Sequence, residues 1–329
     1  MKLATLRSGR PDGSLLVVSR DLDRAVDATA VAPDLRTALE RWDAVGPQLQ
    51  LLYDALNTGT VADAVRFDPA RCAAPLPRAP QWLDGSAFLE HGRLMERAFG
   101  TPPIPDIDSV PLMYQGASDD FLGACDDVPL PDEADGIDVE GEFGVVVGDV
   151  PMGTTAAQAL TRVRLLVQIN DWSLRRFGPR EMRAGFGFLQ AKPSTAFAPV
   201  AVTPDALGPA WRDGRVHLRL HVDCRGSWLG HPHGAEMAFG FGDLIAHAAR
   251  TRRLAAGTVI GSGTVSNADP SAGSACIAER RMREMLEQGA AITEFLRFGE
   301  SIRMTALDVH GNAPFGTIAQ RVIANNRSA

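Results

Sequence analysis

The 329-residue chain lacks the marks of several large functional classes. It has four cysteines, Cys72, Cys125, Cys224 and Cys276, with no C-x-x-C pair among them. That pattern excludes a disulfide framework or a cysteine-rich zinc module, and the thiols read as buried and reduced, as in a cytoplasmic protein. No apolar run approaches the ~18 residues of a membrane span, and no charged-then-apolar leader is evident. Positive charge is also short. The formal net charge is -7 and there is no basic run, so neither a nucleic-acid footprint nor a membrane-binding patch is expected. H-E-x-x-H, the P-loop and G-x-S-x-G are all absent. Gly240-Phe241-Gly242 and Gly261-Ser262-Gly263 lack the rest of a dinucleotide fingerprint. No internal repeat or low-complexity segment interrupts the chain.

What is present is ordinary globular material: 45% hydrophobic and 22% charged residues, with length for a sizeable core. Leu3–Leu6 and Leu15–Val18 form a hairpin around Pro11-Asp12-Gly13. Asp34 caps a helix with Leu35, Ala38, Leu39 and Trp42 on one face. Gly46-Pro47 is expected to break it, a second helix then carrying Leu49, Leu52, Tyr53 and Leu56. Pro75-Leu76-Pro77-Arg78-Ala79-Pro80 marks a linker, which places a small N-terminal α+β domain at 1–75 and a catalytic domain at 76–329. Beyond it, Gln81 to His91 runs into a helix ending near Phe99, and Val110 to Asp127 is loop-rich. Val163 to Ile169 is a doubly buried strand, and Val216–Val222, Thr258–Thr264, Ser301–Leu307 and Phe315–Val322 are further strands. Phe241–Leu254 reads as an amphipathic helix, and His231-Pro232-His233 as an exposed turn. Short strands dominate, so the expected fold class is β-rich α+β.

The chemistry concentrates on one expected strand, Ile137 to Val147. Alternation puts Asp138, Glu140 and Glu142 on one face, same-face Cα atoms lying about 6.5–7 Å apart. An isolated E-x-E usually belongs to a solvated face. Here Asn170-Asp171-Trp172-Ser173 follows at the end of a buried strand, with Lys192 beyond it. Glu140, Glu142 and Asp171 offer only oxygen, the donor set of magnesium, manganese or calcium. Stacked carboxylates also raise one another's pKa unless a cation intervenes.

The ordered set Asp138-Val139-Glu140-Gly141-Glu142, Asn170-Asp171-Trp172-Ser173, Lys192 and Gly261-Ser262-Gly263-Thr264-Val265-Ser266 resembles the fumarylacetoacetate hydrolase family. The resemblance runs from about Gln81 onward, and the N-terminal domain fits the family's longer members. It implies a mixed β-sandwich or roll and a divalent cation, magnesium first, with manganese or calcium as alternatives. It also implies a homodimer. By the same resemblance, Asp84, Glu140, Glu142 and Asp171 are the metal ligands. His91, seven residues after Asp84, is the base that activates water, Glu279 is its acidic partner, and Lys192 stabilises oxyanion charge or holds a substrate carboxylate. Tyr114, Thr264, Ser86 and Gln190 are candidate substrate contacts. The chain departs from the fumarylacetoacetase pattern in places: Ser86 stands where that pattern has tyrosine, Gly100 where it has arginine, and 177–182 lacks its glutamine and tyrosine.

The implied activity is metal-dependent hydrolysis of a carbon–carbon bond in a 1,3-diketo acid, such as fumarylacetoacetate, fumarylpyruvate or a related acylpyruvate. The expected partner is that small molecule, with no nucleic acid or membrane. The alternatives are an oxo-acid decarboxylase or isomerase on the same metal site, or a catalytically silent homologue that binds a metabolite. The bland readings of His91, Glu279 and Lys192 are residues on solvated faces.

Overall fold

The computed structural model describes residues 1–99 and 104–325, which leaves Gly100 outside. In chain order the N-terminal elements are β1 (Lys2–Leu6), β2 (Ser14–Val18), β3 (Arg24–Asp27), α1 (Leu35–Glu40), α2 (Trp42–Thr58) and β4 (Val65–Arg66). Next come β5 (Trp82–Gly85), α3 (Leu89–Phe99), β6 (Met113–Gly116), β7 (Val128–Leu130), β8 (Ile137–Asp138), β9 (Gly141–Val147) and α4 (Ala156–Leu160). The middle holds β10 (Val163–Asn170), β11 (Ser173–Leu174), α5 (Gly178–Ala184), β12 (Ala196–Phe197), β13 (Ala201–Val202) and α6 (Pro204–Leu207). The remainder is β14 (Trp211–Arg212), β15 (Arg215–Val216), β16 (Arg219–Cys224), β17 (Ser227–Gly230), α7 (Phe241–Ala248), β18 (Val259–Gly261), α8 (Ile277–Gln288), β19 (Ser301–Leu307) and β20 (Thr317–Ala324).

Two sheets carry the fold, which is α+β and β-rich. The larger runs β4-β3-β2-β1-β13-β10-β9-β18-β5-β6, with β12 attached to β10. The smaller runs β17-β16-β19-β20-β7. Their facing sides share one core, in which Phe143, Val145 and Leu166 meet Leu220, Val222, Met304 and Ile318. Gln168 is the polar staple between the layers: its amide donates to the Met304 carbonyl at 3.0 Å and accepts from the Ala306 N–H at 2.8 Å. A fully buried amide has to be satisfied in this way, since an orphaned one costs about 1–3 kcal/mol. The other side of the large sheet is closed by α1 and α2, whose Leu35, Leu39, Leu49 and Leu56 pack on Leu3, Val17, Leu165 and Val167. The N-terminal strands continue the large sheet, because β1 pairs with β13 at Lys2↔Val202 and Leu3↔Ala201.

Six local expectations are corrected. Asp34 does cap α1, accepting from Thr37 N–H, but α2 runs through Gly46-Pro47 and the chain breaks at Arg41 instead. Proline six positions into a helix forfeits one hydrogen bond near the terminus, which buried Val45, Leu49 and Tyr53 outweigh. The strand expected over Ile137–Val147 is two strands, β8 and β9, parted at Val139-Glu140. α7 stops at Ala248, and Val110–Asp127 contains β6, whose Tyr114 lies opposite Asp84. Cys125 is exposed while the other three cysteines are buried. His231-Pro232-His233 is partly buried. Among the described residues no helix is long and apolar enough to cross a membrane.

Candidate metal and acid–base site

Strand register assembles the site. Gly261 of β18 lies beside Asp84 of β5 and Gly144 of β9, and Glu142 of β9 lies opposite Ile169 of β10, two residues before Asp171. The carboxylates of Asp84, Glu142 and Asp171 therefore converge, each offering an oxygen within 4.8 Å of the others. All three side chains are buried. The close approach needs glycine at two positions. A Cβ on Gly261 would lie 2.2 Å from Asp84 Oδ1, and Gly263 takes φ +75° so that its N–H can donate to that same oxygen at 3.0 Å.

The cluster splits into a compensated and an uncompensated part. Glu140 is gripped by Lys192 Nζ at 2.8 Å and Arg175 Nη1 at 2.7 Å, and it accepts from Ser173 Oγ at 3.0 Å. Burial opposes its ionisation, but Lys192 and Arg175 hold its carboxyl well below the usual range. Asp171 accepts from Thr195 Oγ1 at 2.7 Å, from Lys192 Nζ at 2.7 Å and from the Tyr114 hydroxyl. Neither oxygen of Glu142 receives an N–H or hydroxyl donor, and what faces it is the carboxyl of Asp84. Burial, followed by the charges of Asp84 and Asp171, pushes Glu142 far up, and burial and Asp171 do the same to Asp84. Burial opposes the charge of Lys192, yet Asp171 and Glu140 raise its pKa above an ordinary lysine's.

A second group lies where α3 packs against α8. His91 Nδ1 is 3.3 Å from Glu279 Oε2, and the other oxygen of Glu279 accepts from Arg283 at 2.8 Å. Glu279 is fully buried; desolvation opposes its charge, but His91 and Arg283 prevail and lower its pKa. With Nδ1 turned to a carboxylate, Nε2 is the free basic atom of His91.

Asp138 is not part of the cluster. Its carboxylate accepts from the N–H groups of Ile277 at 2.7 Å and Ala278 at 2.8 Å, capping the start of α8, and pairs with Arg175 at 2.8 Å. Arg175 thus ties the helix that carries Glu279 to Glu140. Neither Arg175 nor Thr195 was anticipated from sequence, although Arg175 sits directly after the Asn170–Leu174 stretch and could have been suspected there. Tyr114 is at the cluster, under Lys192 (5.5 Å to its ring) and edge-on to Phe188. Thr264 is buried in the turn after Gly263. Ser86 is fixed through its backbone, donating to Leu112 O at 2.9 Å. Gln190 is exposed and only its N–H is held, by Glu181 at 2.8 Å.

Two sheets with carboxylates gathered at the ends of β5, β9 and β10 define the class of protein. The family descriptors Fumarylacetoacetate (FAA) hydrolase C-terminal and Fumarylacetoacetase N-terminal domain 2 match residues 81–323 and 1–78. The chain belongs to the fumarylacetoacetate hydrolase family. It is similar to a 2,4-didehydro-3-deoxy-L-rhamnonate hydrolase of Sphingomonas sp. (strain SKA58), 29% identical over 165 residues; that match spans 49% of this chain and 54% of the relative. In fold it is similar to a fumarylacetoacetate hydrolase from psychrophilic Exiguobacterium antarcticum (18% identity, TM-score 0.66, 98% and 99% of the two chains). It is likewise similar to maleylpyruvate hydrolase from Sphingobium sp. SYK-6 in complex with manganese(II) and pyruvate (16% identity, TM-score 0.65, 99% and 100%).

Proposed function

We propose that the chain is a metal-dependent hydrolase that splits a carbon–carbon bond of a 1,3-diketo acid of the acylpyruvate type. The observation that carries this is Glu142: a carboxylate buried without a partner, against two more, is stable as an anion only beside a cation. An all-oxygen cradle suits a hard divalent ion, with Asp84, Glu142 and Asp171 as ligands and Glu140 adjoining; magnesium is our first assignment and manganese the second. When bound there, such an ion supplies Lewis-acid stabilisation of the enolate charge that carbon–carbon cleavage releases.

The chain's own residues do the rest. His91 takes a proton from water at Nε2 as the water oxygen bonds to the acyl carbonyl carbon, and Glu279 steadies the imidazolium at Nδ1. The bond from that carbon to the methylene then breaks. One product is a carboxylic acid, and the other is an enolate that returns to the 2-oxo acid on accepting the proton. Lys192 supports the oxyanion charge, and Tyr114, Thr264 and Ser86 border the substrate. A 2,4-didehydro-3-deoxy acid, the substrate type in the name of the curated relative, is oxidised at the two carbons flanking its deoxy carbon, which is the 1,3 arrangement this site requires. Gly178 and Met182 lie in the stretch lacking the glutamine and tyrosine of the fumarylacetoacetase pattern, which favours an acylpyruvate over fumarylacetoacetate.

All of these residues follow position 75, and we assign the chemistry to 76–329. We propose a homodimer as well; Phe186 and Leu189, 99% and 83% exposed beside the Tyr114–Phe188 pair, are apolar surface that a second copy would cover. The test is a panel of acylpyruvates and polyhydroxylated 2,4-dioxo acids, followed by loss of the diketone absorbance, with divalent ion and then with chelator. Ion-dependent loss that His91→Ala abolishes supports hydrolysis. Turnover unaffected by His91→Ala supports decarboxylation or isomerisation, and no turnover across the panel supports a silent metabolite-binding homologue.

A further inference from the structure

Besides the all-oxygen cluster, the described residues hold one other group of metal-ligating side chains: His91, Cys276 and Glu279, with one atom of each within 4.8 Å of the others. Cys276 precedes α8, and its sulfur accepts from the Glu279 N–H at 3.3 Å, so the helix geometry itself sets the thiol beside the carboxylate. Cys276 and Glu279 are fully buried, whereas the His91 side chain keeps 20% of its surface exposed and is the way in. We infer that these three side chains form a second cation site, selective for a soft or borderline divalent ion such as zinc, whose filling takes His91 out of use as a base.

The donor chemistry carries the argument. One thiolate, one imidazole and one carboxylate suit zinc, cobalt or cadmium and do not suit magnesium, whereas Asp84, Glu142 and Asp171 offer the reverse preference. A tetrahedral zinc centre with bonds of about 2.0–2.3 Å spaces its ligands about 3.3–3.7 Å apart. The His91–Glu279 pair is already at 3.3 Å, and the thiol, within 4.8 Å, needs to close by at most about 1.5 Å, within reach of a χ1 adjustment together with small movements of the His91 ring. The three side chains leave one tetrahedral position for water. Two neighbouring sites of opposite hardness would let magnesium support turnover while zinc suppresses it. That inhibitory consequence rests on the proposed role of His91; the site itself does not.

The experiment uses the full chain loaded with magnesium and titrated with cobalt(II), whose bond to a thiolate gives a charge-transfer absorption in the near ultraviolet. The site predicts that band at one cobalt per chain. It predicts loss of the band in Cys276→Ser, where serine still serves as the helix cap, and retention in Cys125→Ser and in Glu142→Gln. It also predicts that the zinc concentration giving half-inhibition rises about tenfold or more in Cys276→Ser, each variant being compared with its own zinc-free rate. No band in the wild-type chain, or a band that survives Cys276→Ser, overturns the inference. The absorption arm needs no turnover. A cobalt band through Cys276 in a chain that cleaves no diketo acid therefore overturns only the hydrolase reading, and an active chain without the band overturns only the second site.

Discussion

Glu140 and Glu142 are two residues apart, yet their electrostatic states are opposite. Glu140 has two cations and a hydroxyl on its carboxylate and is ionised far into acid. Glu142, also buried, has no N–H, hydroxyl or cation on either oxygen, and its pKa is driven up. Residue type and burial are the same; the difference is what the neighbouring strands present. β10 and its continuation bring Lys192 and Arg175 to Glu140, while β5 brings a further carboxylate, Asp84, to Glu142. The lesson is that an E-x-E pair need not be a symmetrical ligand pair: one member is held by protein cations and the other is left for an ion.

The largest expected effect comes from breaking the open side. Glu142→Gln or Asp171→Asn should lower turnover by about 10³-fold or more, a loss of about 4 kcal/mol in transition-state stabilisation, measured as kcat/KM with saturating ion. Breaking the closed side should act on stability. Arg175→Ala takes the cation from buried Asp138 and one of two cations from buried Glu140, leaving the Ile277 and Ala278 N–H groups on the first and Lys192 on the second, and should cost about 3 kcal/mol in urea unfolding. Arg175→Lys should recover only part of this, since a lysine cannot span both partners.

An intermediate effect separates the halves by pH. Asp84 and Glu142 have folded pKa values above their unfolded ones, so the chelated protein binds more protons folded than unfolded across that interval. Its stability must fall as pH rises past the ordinary carboxylate range, and a divalent ion at about 100 times its Kd should restore about 2.7 kcal/mol. Glu140 contributes with the opposite sign: its support is present above the ordinary carboxylate range and is lost as pH falls through its depressed value. Thermal melts with chelator and with manganese, over a pH series, check both signs. The smallest effect is Phe188→Ala, which removes an edge-to-face contact with Tyr114 worth about 0.5–1.5 kcal/mol and should raise KM severalfold with little change in kcat.

Much of this site was legible in the chain. The family resemblance grouped Glu142, Asp171, Lys192, His91 and Glu279, and in the structure the first three are neighbours and the last two form a pair; the buried strand over Val163–Asn170 is there because a run of Leu, Val and Ile can only sit between two layers. What could not be read was partnership. Asp138 shares the alternation of Glu140 but spends its charge on the first N–H groups of α8, a helix more than a hundred residues later. Arg175 looked like any charged residue after a strand, and the contact between Cys276 and His91 exists only because α3 and α8 pack together. Pro47 misled for a related reason, tertiary burial of α2 overriding a local preference.

The most direct measurement is calorimetric titration of manganese(II) into the wild-type chain and into Glu142→Gln and Glu140→Gln. The account predicts one ion per wild-type chain and affinity at least about a hundredfold weaker in Glu142→Gln, with a smaller loss in Glu140→Gln, whose carboxylate already has Lys192 and Arg175 as partners. Equal binding by Glu142→Gln and the wild type would contradict it.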